Sequence, residues 1–215
     1  MLILYTTPVS LYCSKTRIAL RIKGVKWEAR PPLGGYGSDT YKTIVASGNI
    51  PALVDGDFVL ADSEAIAEYL EEAYPKPAML PADIRARAIC RERGRFHDTR
   101  LEPALRGLFG QVARTARNDA SLRASEKEIS QRLAQLAQRL CEAPVAEPFP
   151  SIGDCGFLPT FMWIDALAAE LELAIAWPDA VLAYRQALEA VPEIAAERDF
   201  YAPALRPWID QKAAT

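Results

Sequence analysis

The chain has 215 residues, half of them hydrophobic and a quarter charged, with a formal net charge of −3. That length is enough to bury a full core in one or two domains, and the near-balance of charge excludes nucleic acid or an anionic membrane surface as the main partner. No apolar run reaches the roughly 18 residues a membrane span requires, so no membrane is expected as a partner either.

Leu2-Ile3-Leu4-Tyr5 is a short apolar run and reads as a buried strand. Pro8 to Leu11 follows as a strand-to-helix turn. From Tyr12 on, Ile18, Leu20 and Ile22 alternate with Lys15, Arg17, Arg21 and Lys23, the pattern of an amphipathic helix that Gly24 closes. Ser10 stands at the start of this helix and has two readings. It is a good N-cap. A helix N-terminus also favours an anion, a thiolate among them, and Ser10-Leu11-Tyr12-Cys13 has the frame of a C-x-x-C redox turn with Ser in the first position. In that second reading the sulfur comes from a ligand. Cys13 either fills the core as a small hydrophobe or takes part in thiol chemistry.

Val25 to Arg30 alternates and reads as a second strand, parallel to the first across a βαβ unit. Pro31 to Gly37 is a loop, and Ser38 to Ala46 is a short polar helix at most. Two apolar runs then flank Asp55-Gly56-Asp57, a hairpin signal; Pro51 opens the first of them, compatible with a cis bond before it. Asp62-Ser63 caps an amphipathic helix over Glu64 to Tyr74, with Ala65, Ile66, Tyr69, Leu70 and Ala73 on its apolar face. The expected order is βαβαββα.

Three prolines between Pro75 and Pro81 mark a linker, about 75–83, and divide an α/β domain, 1–76, from an all-α domain, 84–215. The helices expected after it are Asp83 to about Arg117, bent near Pro103; Ser121 to Cys141; a mostly apolar one begun by Ser151-Ile152-Gly153-Asp154 as a capping box and running to about Leu173; Asp179 to Ala190; and Pro192 to Arg198. His97 with Arg91, Arg93, Arg95 and Arg100 forms either a solvated or intersubunit face, or part of a cleft wall. The four cysteines show no metal-like spacing and His97 is the single histidine, so no metal is expected. Free thiols, and an N-terminus without the charged-then-apolar pattern of a leader, point to the cytoplasm.

Read this far, the chain resembles the glutathione S-transferase superfamily over essentially its whole length. Three stretches carry the resemblance: Ser10 followed by Cys13-Ser14-Lys15-Thr16-Arg17-Ile18-Ala19-Leu20, similar to the serine-type turn of zeta, tau and many bacterial members; Asn49-Ile50-Pro51-Ala52-Leu53-Val54-Asp55-Gly56 with Asp62-Ser63-Glu64-Ala65-Ile66, similar to the glutathione-holding signature; and Ser151-Ile152-Gly153-Asp154 with Pro159, similar to the capping box of the central helix. The resemblance implies a thioredoxin-like domain followed by an all-α domain, a homodimer, and glutathione as co-substrate. It implies that Ser10 stabilises the glutathione thiolate. Ile50 would pair with the cysteinyl backbone, Ser63 with the γ-glutamyl carboxylate, and Asp62 with the α-amino group. Where members often carry a basic residue for the glycyl carboxylate this chain has Asn49, leaving Asn49 or Lys42 for that role. The thiolate would attack a hydrophobic electrophile. Isomerase, dehalogenase or disulfide-reductase chemistry, and a non-catalytic protein-binding module of the stringent-starvation type, are the alternatives. Zeta members have Ser-Ser-Cys where this chain has Ser10-Leu11-Tyr12, which counts against the isomerase.

Overall fold

The computed structural model describes residues 1–215. Its first half is a four-stranded sheet in the order β2-β1-β3-β4, built from β1 (Leu2–Tyr5), β2 (Trp27–Arg30), β3 (Ala52–Asp55) and β4 (Phe58–Ala61). β1 runs parallel to β2, with Leu4 opposite Ala29, and antiparallel to β3, with Leu4 opposite Leu53. β3 and β4 form the hairpin, and Gly56 supplies the positive φ of +63° that its tight turn needs. Helices α1 (Leu11–Ile22), α2 (Asp39–Lys42) and α3 (Ser63–Ala73) complete the expected βαβαββα order. The short α2 covers only part of the expected Ser38 to Ala46 and is less polar than its sequence suggests: its Tyr41, and Val45 just beyond it, are buried with Tyr5 and Ala52.

The first helix departs from its amphipathic pattern. Lys15, Arg17 and Lys23 are all buried. α1 is packed against α3 on one side and the helical half of the chain on the other, so its charged stripe faces protein rather than water. Each charge therefore has a partner: Lys15 with Glu64 and Asp98, Arg17 with Glu197, and Lys23 with Glu71. Cys13 is buried with no disulfide, as a core residue.

All the remaining regular structure is helical. α4 (Ile84–Phe96) is capped by Asp83 and continues through a π-helical turn, His97–Leu101, into α5 (Glu102–Arg106), with Pro103 in its first turn. The long stretch thus ends at Arg106, short of Arg117, and gives way to short 3₁₀ turns. α6 (Asp119–Glu142) is capped by Asn118. The capping box at Ser151 closes a 3₁₀ turn, Ile152–Asp154, before α7 (Phe157–Leu171) begins. α7 ends at Glu172, whose φ of 54° is left-handed, and it carries the buried Phe157, Phe161, Trp163, Ile164 and Leu167 of the core. α8 (Asp179–Glu189) precedes α9, which runs Pro192–Ala213, far beyond the expected Arg198. Its prolines at 203 and 207 do not end it, because Tyr201, Leu205 and Ile209 bury one face against the core.

One contact fixes the capping box against α4. Gly153 has no room for a side chain: a Cβ there would lie 1.9 Å from Cys90 O and 3.2 Å from Gly94 N. Asp154, beside it, accepts from Ser151 N at 2.8 Å, Arg93 Nη1 at 2.9 Å and Tyr184 Oη at 2.5 Å, so the box is a hub of buried hydrogen bonds.

Candidate active site

The β1–α1 turn, the segment before β3 and the start of α3 all open onto one cavity of about 880 Å³. Ser10, Asn49, Ile50, Asp62 and Ser63 all line it. Lys42 does not; it is exposed and lies 3.7 Å from Asp39.

Ser10 is half-buried and caps α1, its Oγ accepting from Cys13 N at 3.3 Å. Acting as acceptor for the cap leaves its hydroxyl proton free to donate into the cavity. Cys13 N is the sole hydrogen-bond partner of this hydroxyl, so no acid or base within the chain is placed to activate it as a nucleophile. Ile50 precedes a cis peptide bond to Pro51. Its N–H and C=O make no backbone hydrogen bond, which leaves one donor and one acceptor unused at the cavity. Asn49 is held by its neighbours instead: its Oδ1 accepts from Tyr36 Oη at 3.2 Å and its carbonyl from Tyr41 Oη at 2.9 Å.

At the third edge, Asp62 is the N-cap of α3, and Ser63 is the first residue inside the helix. Asp62 Oδ1 accepts from Glu64 N at 2.9 Å and Ala65 N at 3.0 Å. It holds a φ of 140°, a strained conformation for a residue with a Cβ. Ser63 is buried at the cavity floor, and its side chain makes no hydrogen bond within the chain. The Ser63 N–H, the first-turn amide that Asp62 leaves free, and this hydroxyl together suit a carboxylate.

Of the opposite wall the sequence offered only Arg95, in the reading of the arginines around His97 as part of a cleft wall. The opposite wall comprises Tyr12, Arg95, Asp98, Thr99, Arg106, Phe109 and Trp208. Arg95 and Thr99 lie four apart, a spacing that puts side chains on one helix face and would have singled them out. Trp208 lies on the part of α9 beyond its expected end. The Phe109 and Trp208 rings meet at a tilt, centroids 5.5 Å apart, and both pack on the buried Trp163, at 5.1 and 5.0 Å. Tyr12 Oη donates to Glu102 at 3.0 Å, and Arg106 pairs with the same carboxylate. Burial and the Glu102 charge push the Tyr12 phenol well above its ordinary range. Arg95 has no ion-pair partner in the chain, so this wall presents one uncompensated cation.

His97 is neither solvated nor in the cavity. It is buried, with Nδ1 2.7 Å from Asp98 Oδ1 and Nε2 2.7 Å from Thr160 Oγ1. A carboxylate only accepts, so Nδ1 carries the proton of that bond. Burial alone would raise the Asp98 carboxyl; His97 and Lys15 outweigh it and hold it at about 2. Arg93 is likewise buried, on Asp154, and Arg91 pairs with Glu68. No group of three or more His, Cys, Asp or Glu side chains is placed to hold a metal ion.

Residues 4–78 match the glutathione S-transferase N-terminal domain family. Among curated proteins, glutathione S-transferase Z2 of Arabidopsis thaliana is 45% identical over 89 residues, which is 40% of this chain and 40% of that one. A stringent starvation protein A homolog of Pasteurella multocida (strain Pm70) is 27% identical over 162 residues, 74% of this chain and 73% of that one. Among solved structures, a delta-class glutathione transferase of Nilaparvata lugens superposes with a TM-score of 0.82 at 20% identity, covering 98% of this chain and 97% of that one, a likeness of fold. Residues 4–78 are thus a glutathione S-transferase N-terminal domain, and the chain as a whole shares the fold of solved glutathione transferases.

Proposed function

We propose that the chain is a glutathione transferase in which Ser10 donates a hydrogen bond to the glutathione thiolate, which then attacks an electrophile held against Phe109 and Trp208. The observation that supports this best is the convergence of Ser10, Ile50 and Ser63 on one cavity, each with hydrogen-bonding capacity that the chain leaves unused. Ser63 and the α3 N-terminus receive the γ-glutamyl carboxylate, Asp62 the α-amino group, and Ile50 the cysteinyl backbone. Asn49 stands nearest the role of meeting the glycyl carboxylate. The N-terminal end of α1 lowers the thiol pKa further. No metal takes part in this reading.

We take 1–76 as the glutathione-binding domain, 84–215 as the helical domain, and the working unit as a cytoplasmic homodimer. Light scattering at micromolar concentration tests the last point, and a monomer contradicts it. The match to a stringent starvation protein A homolog over three quarters of the chain favours a second reading, a non-catalytic protein-binding module on the same fold.

Glutathione separates the two. Under the enzyme reading millimolar glutathione raises the melting temperature, because it binds only the folded state, and a generic electrophile is conjugated. Absence of both effects favours the binding module.

A further inference from the structure

The turn that carries Ser10 is held from outside. Thr6 N donates to Arg30 O at 2.9 Å, beyond the last β1–β2 pair. The three carbonyls after it are then taken by two side chains. Arg17 donates to Thr7 O at 3.0 Å and to Pro8 O at 3.2 Å, and Tyr201 Oη donates to Val9 O at 2.8 Å. Arg17 is aimed by Glu197, whose Oε1 accepts from its Nε at 2.8 Å and from Ser14 Oγ at 2.9 Å. Glu197 and Tyr201 lie one helical turn apart on α9 and share a face. Trp163 Nε1 donates to Tyr201 Oη from behind at 2.5 Å. Arg17, Glu197 and Tyr201 are all buried.

We propose that Tyr201, and Glu197 acting through Arg17, are positioning residues for Ser10. The Val9 carbonyl and the Ser10 nitrogen and Cα belong to one rigid peptide plane. Holding Val9 O therefore sets the orientation of the Ser10 backbone directly. Within the turn itself Ser10 Oγ has only the long bond from Cys13 N, which does not fix it tightly. A donor to a sulfur anion must be placed within about 0.5 Å to act fully, and here that placement comes from a helix some 190 residues downstream in sequence. The inference rests on the reading of Ser10 as the residue that stabilises the thiolate.

Tyr201→Phe removes one hydroxyl and keeps the ring. The readout is the pH titration of the ultraviolet thiolate absorbance of protein-bound glutathione, beside conjugation kinetics. In Tyr201→Phe the titration is expected to move to higher pH by about half a unit to one unit. The turnover rate at neutral pH is expected to fall about three- to tenfold and to recover at higher pH, with KM for glutathione within about twofold. Ile209→Val, a core change further along α9, is expected to lower the melting temperature without moving the titration. A Tyr201→Phe titration that superimposes on the unmutated one overturns the proposal, as does an equal shift in Ile209→Val. No thiolate signal in the unmutated protein overturns the reading of Ser10 itself. Should Tyr201→Phe fail to accumulate as folded protein, Glu197→Gln is read by the same titration, with the same outcomes.

Discussion

Lys15 Nζ lies 2.8 Å from Asp98 Oδ2, a buried ion pair that joins the first helix to the π-helical turn after α4. Asp98 titrates at about 2, below its ordinary value near 3.9. A carboxylate depressed in this way contributes stability that is present above the unfolded value and is lost as pH falls through the folded one. Urea unfolding should therefore show about 2 kcal/mol from Asp98 at neutral pH, disappearing between about pH 4 and pH 2. Asp98→Asn is expected to lose this amount at pH 7 and to differ little from the unmutated protein at the acid end. A gap that stays constant with pH would show that the pair adds nothing through its charge.

Under the proposed function, Ser10→Ala removes a charge-assisted hydrogen bond to the thiolate worth about 1.5–3 kcal/mol. The bound thiol pKa should rise by about one to two units, and conjugation at neutral pH should fall about ten- to a hundredfold. The same change removes the α1 cap and costs about 1 kcal/mol of stability, so melting and pH–rate profiles are measured together. A profile that does not move leaves Ser10 as a cap alone.

Ser63→Ala acts on the other end of glutathione. Loss of a hydroxyl bond to a carboxylate should weaken binding by about 1–3 kcal/mol, read by calorimetry or by the glutathione-induced rise in melting temperature. Since the Ser63 side chain makes no bond within the chain, stability without glutathione should hardly change. A large loss of stability with binding intact would contradict this placement.

Arg95 is the unpaired cation on the acceptor wall. Arg95→Gln should raise KM about two- to fivefold for an electrophile bearing a carboxylate, the modest size expected of an exposed pair, and leave a neutral electrophile unaffected. Equal effects on both would show that Arg95 shapes the wall without reading charge.

Gly153→Ala drives a Cβ into Cys90 O, a backbone atom that cannot swing aside. The turn and α4 must separate, and a loss of about 3–5 kcal/mol is expected in chemical unfolding. A loss below about 1 kcal/mol would mean that the two segments yield easily.

Much of this was legible in the sequence because it is local. The βαβαββα order follows from short apolar runs, one hairpin turn and two caps, each written within a few residues. Ser10, Asn49, Ile50, Asp62 and Ser63 could be singled out because each sits at or just before the start of an element, and all five line the cavity. What the sequence concealed lies in partners far along the chain. Lys15 and Arg17 look like a wet stripe until Asp98 and Glu197 are brought against them, 83 and 180 residues away. His97 looked like part of a charged face because its neighbours are arginines, yet Thr160 and Asp98 enclose it. The end of α9 was misjudged for a related reason: Pro203 and Pro207 disfavour a helix locally, whereas burial of Tyr201, Leu205 and Ile209 sustains it. With that end went Trp208, and with Trp208 part of the aromatic wall of the cavity.

The ion pairs of α1 bear on how such a chain diversifies. The segment before the linker holds buried cations whose counter-ions, Asp98 and Glu197, are encoded after it. A chimera that joined this segment to a relative's helices would bury Arg17 without its carboxylate and leave Lys15 with Glu64 alone, unless the donor helices supplied acids at the same two places. Recombination at the linker is therefore restricted to parents that share this charge pattern, and the two halves are inherited as a matched set.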